Sequence, residues 1–164
     1  MRTILGIILG LSTFPSTGTG LDEPTDVDLR QVHCLAHNIY FEASNQGTAG
    51  MVGVGQVTLN RVKSKKYPNT ICEVVYQAEY RINWKGNRVP VLNRCQFSWY
   101  CDGKAETIRY PKDYDEAYIM AELLIEDRLV DITDGALFYH ADYVSPKWAK
   151  SMAQKIKIGD HIFY

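Results

Sequence analysis

The chain has 164 residues, 18 lysines and arginines against 19 aspartates and glutamates, a formal net charge of −1 and a pI near 6.4. That balance excludes the concentrated positive field that generic nucleic-acid binding needs, and no long basic stripe is present. With the first 27 residues set aside, about 140 remain, enough for one domain that buries a core unaided.

Met1 to Gly20 carries one early charge, Arg2, then an apolar run from Ile4 to Leu11, then small and polar residues. This is the layout of a secretory signal peptide whose apolar run is too short to span a bilayer permanently. The chain is therefore expected to be exported, touching the membrane only transiently through this segment. No Ala-x-Ala stands before Leu21, so a slowly released or uncleaved anchor stays open. Residues 21–27, with Pro24 and two early acids, read as a linker into a domain spanning 28–164.

Asp28 to Ala43 reads as a helix, capped by Asp28 with Gln31 reaching back three residues later, and striped by Val32, Leu35, Ile39 and Ala43. At about 100° per residue, Glu42 lies roughly 20° from Leu35 and 60° from Ile39, on the inward face. The helix C-terminus also opposes negative charge there. Both effects raise a carboxyl pKa, and a carboxyl kept protonated can give its proton to a leaving oxygen. The alternative is a glutamate that snorkels to solvent. His33 and His37 are an i, i+4 pair that a metal could use, but Glu42 is about 180° around from His33 and no third ligand joins them. No metal and no cofactor are expected.

A second helix is predicted from Gly47 to about Lys63, with Met51, Val54, Leu59 and Val62 apolar. Gly50, Gly53 and Gly55 each cost about 1 kcal/mol of helix propensity against alanine, which points to close backbone approach, with the first helix as the simplest partner. The Ser44 to Gly47 turn then forms the lip of a cleft walled by Glu42. No phosphate-loop pattern is present. Arg61, Lys63, Lys65 and Lys66 read as a solvated cationic cap on this helix, with a patch for anionic polymer as the alternative.

A short helix is predicted from Thr70, giving Ile71, Val74 and Val75 to the core, followed by a long irregular stretch from Gln77 to Asn93 punctuated by turns. Arg94 to Tyr100 reads as an amphipathic strand in which Gln96 and Ser98 alternate with Phe97, Trp99 and Tyr100, a mixture of polar groups and rings that suits sugar recognition. Asp113 to Asp131 is a helix with Ala117, Met120, Ala121, Leu124 and Leu129 inward; Ala136 to His140 is a short strand; Trp148 packs beneath the loop after it; Ile156 to Tyr164 closes the fold as a strand with a turn at Gly159-Asp160. His161 is read as structural. Four cysteines in an exported chain predict disulfides, with three possible pairings. The Cys95 to Cys101 spacing could be closed by a loop, leaving Cys34 for Cys72. A zinc site is the rival reading, without a Cys-x-x-Cys to support it.

Four stretches in order, IYFEASNQGTAGMVGVGQVTLNRVKSKKYPNTICEVVYQ, CQFSWYCDG, GALFYHADYVSPKW and KIGDHIFY, resemble the catalytic domain of the spore cortex-lytic type of cell-wall hydrolase, found in bacteria and phages. The resemblance covers about Asp28 to Tyr164. It implies an α+β, mainly helical, lysozyme-like domain with a small β-sheet that acts on peptidoglycan glycan strands. The glutamate of the family's tyrosine-x-glutamate-alanine motif falls on Glu42 as catalytic acid, and its glutamine-phenylalanine-serine motif places Gln96 and Ser98 in the cleft. Trp99 and Tyr139 are further candidates for the sugar, and His140 stands where asparagine is common in the spore enzymes. The implied reaction is lytic transglycosylation by one acid, giving a 1,6-anhydro end, by a monomer working in the periplasm, cell wall or outside the cell. A hydrolase would need a second carboxylate, for which Glu73, Glu79, Asp102 and Asp142 are candidates that no motif singles out. A glycan-binding module using Trp84, Trp99, Tyr100 and Tyr139, and a zinc amidase, are the competing classes.

Overall fold

The computed structural model describes residues 28–164; the expected signal and linker segments lie outside the described residues. Helix α1, Leu29–Ala43, begins at Asp28, whose carboxylate accepts the Arg30 N–H at 2.9 Å. Gln31 reaches Asp28 with its side-chain amide at 3.5 Å, while its Oε1 accepts the Cys72 N–H at 3.1 Å. Gln31 thereby also ties α1 to α3, Ile71–Val75, beside the Cys34–Cys72 disulfide. Val32, Leu35, Ile39 and Ala43 are fully buried, and α1 is the central rod on which α2, Gly47–Lys63, and α4, Pro111–Ile125, pack.

The α2 glycines make room for side chains from several directions, which corrects the expectation of a single helix partner. A Cβ on Gly55 would collide with Leu124 of α4 and press Ile39 of α1, and one on Gly53 would stand 2.8 Å from the Phe163 ring. The helix is scooped on two sides because two layers close on it.

The stretch expected to be irregular is an antiparallel hairpin, β1, Ala78–Ile82, with β2, Arg88–Cys95. Its turn is organised by Asn83, whose Oδ1 accepts the N–H groups of Lys85 and Asn87, both at 2.9 Å. Pro90 sits within β2, which a two-stranded ribbon with open edges tolerates. The strand expected from Arg94 to Tyr100 stops at Cys95; Ser98–Cys101 coil into a 3-10 turn, and the Cys95–Cys101 disulfide closes the loop. Helix α4 ends at Ile125 rather than Asp131, because Asp127 takes a left-handed backbone (φ 56°) and the Arg128 N–H bonds back to Leu123 O at 2.9 Å.

The strand expected from Ala136 is shorter, β3, Tyr139–Ala141. The C-terminal segment is a hairpin rather than one strand: β4, Ile156–Ile158, and β5, His161–Phe163, turn at Gly159-Asp160 and give a sheet ordered β3-β5-β4. Gln46, at the α1–α2 turn, accepts the Asp160 N–H at 3.1 Å and so fastens the sheet to the helices. Among the described residues no helix is long and apolar enough to cross a membrane.

Candidate active site

Glu42 is the penultimate residue of α1 and is half-buried. The Tyr139 hydroxyl donates to its Oε2 at 2.9 Å. Removal from water is the largest influence on this carboxyl and raises its pKa; the Tyr139 hydrogen bond and the Arg61 charge pull the other way without cancelling it. Tyr139 is itself pushed well above the usual phenol range by burial and by facing Glu42, so it stays a donor. With Oε2 accepting from Tyr139, Oε1 is the oxygen on which the protonated form of Glu42 carries its proton.

Two elements hold Tyr139 in place. Asn60 of α2 donates to Asp131, Thr133 and the Ala136 carbonyl at 2.9, 3.3 and 3.2 Å, and Arg61 donates through Nε to the Leu137 carbonyl at 2.9 Å. The loop before β3 is thus pinned to α2, and β5 pairs Tyr139 with Phe163.

The other wall comes from the segment after β2. Glu42, Arg61, Gln96, Phe97, Ser98 and Tyr139 line one cavity of about 140 Å³. The structure therefore brings Glu42, Gln96, Ser98 and Tyr139 together. Trp99 lies outside that lining. It is 9% exposed, stacks on Phe41 with ring centres 4.7 Å apart, and donates its indole N–H to Asn38 at 3.0 Å. Asn38 in turn donates to Thr58 at 3.1 Å, so a fully buried polar chain locks the 96–99 segment against α1 one turn before Glu42. What remains of Trp99 at the surface faces a neighbouring groove of about 360 Å³ with Tyr40, Phe41, Ser44 and Tyr110. His140 also lies outside the cavity, stacked on Tyr164 and bonded to its hydroxyl at 3.0 Å.

Arg61 corrects the sequence reading. Lys63, Lys65 and Lys66 are exposed, as a solvated cap should be, but Arg61 is 5% exposed and lies in the site. Its spacing from Val54 and Val57, seven and four residues earlier, puts it on the apolar face of α2, and that was the available signal. Asn38 and Asn60 were also missed.

None of the four further carboxylates lines the Glu42 cavity. Glu73 accepts from Thr70 at 2.8 Å, Glu79 faces Arg94 at 3.9 Å, Asp102 faces Lys104 at 3.1 Å and Asp142 faces Lys157 at 2.6 Å. His33 and His37 both bond the Tyr114 hydroxyl, at 3.2 and 3.3 Å, and among the described residues no three His, Cys, Asp or Glu side chains form a metal-holding group. Cys34 is paired with Cys72 and Cys95 with Cys101, with no cysteine left free.

Fold and site together define a helix-rich, lysozyme-like α+β domain with a single half-buried acid beside a small sheet. Residues 45–164 match the model of the Cell Wall Hydrolase family, and the chain belongs to that family. The match begins three residues after Glu42, so the case for the acid rests on its geometry. The chain is 26% identical over 152 residues to the spore cortex-lytic enzyme of Bacillus cereus, covering 91% of this chain and 49% of the relative, so it spans about half that relative's length. It is similar in structure to the catalytic domain of the Bacillus cereus SleB protein, with a TM-score of 0.60 and 26% identity over 89% of this chain and 98% of the other. The catalytic domain of the germination-specific lytic transglycosylase SleB from Bacillus anthracis gives a TM-score of 0.61 at 26% identity, covering 86% and 98%.

Proposed function

We propose that this protein cleaves peptidoglycan glycan strands between N-acetylmuramic acid and N-acetylglucosamine by lytic transglycosylation, with Glu42 as its acid and base. The observation that carries the reading is the Glu42 cavity itself: one desolvated carboxyl with one oxygen held by Tyr139, and no second carboxylate in the lining. Glu42 gives its proton to the bridging oxygen as the glycosidic bond breaks, and positive charge develops at the anomeric carbon of the muramic acid. The carboxylate then takes the proton of that sugar's 6-hydroxyl while the 6-oxygen closes on the anomeric carbon. The products are a 1,6-anhydro end and a free 4-hydroxyl, and Glu42 is protonated again. A hydrolase would need a second carboxylate about 5 Å away for retention or 6.5–9.5 Å for inversion.

Gln96 and Ser98 bind polar groups of the sugar at this step, and Tyr139 orients the acid. Trp99 and His140 act further along the strand, Trp99 through the groove beside Phe41. The protein works as an exported monomer, in the periplasm, cell wall or medium, carried there by residues 1–20. The experiment is mass-resolved chromatography of purified peptidoglycan after digestion by the wild type and by Glu42→Gln. Anhydromuramic ends from the wild type alone are the expected result. Reducing ends would convert the reading to hydrolysis, and full activity of the variant would refute it.

A further inference from the structure

The cavity beside Glu42 holds a buried cation, Arg61, that forms no ion pair with a carboxylate of the described residues. Arg61 is fastened by Nε to the Leu137 carbonyl, and its guanidinium carbon stands 5.0, 5.3 and 6.0 Å from the ring centres of Phe97, Tyr67 and Phe138. Its Nη1 is buried without a hydrogen-bond partner, and among the described residues no carboxylate oxygen comes within 4.0 Å of it to form an ion pair. Leaving a buried donor unpaired costs about 1–3 kcal/mol, and more when the group is charged. A residue needed only to tie α2 to Leu137 would serve as well with a neutral amide. Three rings surround the guanidinium, and Arg61 lines the same small cavity as Glu42.

We infer that Arg61 is a positioning residue whose fixed charge acts on Glu42 during the interval in which that carboxyl has given up its proton. The inference rests on the reading of Glu42 as the acid. At rest burial favours the protonated form of the carboxyl, and Arg61 makes no ion pair with it. When the Glu42 O–H bond breaks and the proton passes to the bridging oxygen, a negative charge appears in a water-poor cavity already facing a cation. Such a preorganised charge needs no reorganisation at the moment of reaction and acts through a lower dielectric than bulk water. When the 6-hydroxyl proton returns to Glu42, the pairing ends.

The groups facing Glu42 are Tyr139 from β3 and Arg61 from α2, with Gln96 and Ser98 across the cavity as non-titrating neighbours. Tyr67 stands beside Arg61, and His161 lies behind the Tyr139 ring with centres 5.0 Å apart. Burial lowers the His161 pKa, so it titrates on the acid side of the ordinary histidine range. Raising the pH ionises Glu42 and removes the proton it has to donate, so this carboxyl contributes an alkaline limb to the activity profile. Arg61 helps that carboxyl to ionise, so removing its charge keeps the acid protonated to higher pH while the step itself slows.

The test is the pH profile of kcat on soluble glycan strands for wild type, Arg61→Gln, Arg61→Lys and Glu42→Gln, with thermal melts of each. Arg61→Gln keeps an amide donor for Leu137 and is expected to lose about tenfold or more in kcat, with its alkaline limb moved upward. Arg61→Lys is expected to stay within about threefold of wild type at its own pH optimum, displaced to the acid side, because burial lowers an ammonium's pKa and the charge is kept only below it. If both variants lose activity equally with the limb unmoved, Arg61 is only a tie to Leu137 and the inference fails. Should Arg61→Gln not fold, Arg61→Lys decides alone: native-like melting with less than a tenth of the activity overturns the inference. An active Glu42→Gln would instead overturn the reading beneath it, so the two failures are distinguishable.

Discussion

Replacing Glu42 by glutamine should make the protein more stable at neutral and alkaline pH and leave its stability unchanged in acid. Burial raises the folded-state pKa of Glu42 above its unfolded value, so between those two values the folded chain holds a proton that the unfolded chain has lost. The stability that this group contributes is fully present below the unfolded pKa, near 4.5, and is lost as pH rises through the folded pKa. Each unit of elevation is worth about 1.4 kcal/mol. Glutamine copies the protonated form, keeps an acceptor for the Tyr139 hydroxyl and carries no charge into the cavity. For a domain of this size about 1.4 kcal/mol corresponds to roughly 3–5 °C in melting temperature. Melting curves of wild type and Glu42→Gln, followed by circular dichroism from pH 4 to pH 9, should coincide at the acid end and separate upward, with the variant melting higher. A difference that is independent of pH, or a variant that melts lower throughout, would mean that Glu42 is solvated in the folded protein, and the argument for its acidity would fall.

Two further predictions concern the scaffold. Asn38→Leu leaves the Trp99 indole N–H and the Thr58 hydroxyl without their buried partner; it should cost about 2–3 kcal/mol in denaturant melts and lower glycan cleavage by loosening the 96–99 wall, and wild-type values for both would refute this. Removing the Cys34–Cys72 bridge, with a separation of 38 residues, should cost about 4 kcal/mol against about 2 kcal/mol for Cys95–Cys101, with a separation of 6, measured on paired Cys→Ser variants; the reverse order would exclude loop entropy as the main cause.

The helices were legible because their signals are local. Val32, Leu35 and Ile39 repeat at helical spacing, Asp28 caps, and Glu42 falls on that stripe before any contact is known. The hairpin at 78–95 was not, because Pro90 and the charged and amide side chains around it break the alternation that marks a strand, and its pairing is anchored through the Cys95 loop instead. Trp99 was placed toward sugar for a related reason: its partner, Asn38, lies 61 residues earlier, and nothing in QFSWY says which way the indole turns. Arg61 was missed because what buries it arrives late. The loop carrying Leu137 returns from 76 residues further on to cover it, and the neighbouring lysines at 63, 65 and 66 made the cluster look wet. The site was thus readable where a helix face specifies it and unreadable where one distant segment covers another.

The bond from Tyr139 to Glu42 joins residues 97 apart, one on the central helix and the other on a strand held in register by β5 near the last residues of the chain. A chain still emerging from a ribosome can already coil α1 and carry its glutamate, yet that glutamate is an ordinary solvated acid. Only when the closing hairpin docks and Gln46 catches its turn does the carboxyl meet its donor. The environment that raises the pKa of this carboxyl is thus a property of the closed tertiary fold and not of the helix that carries it.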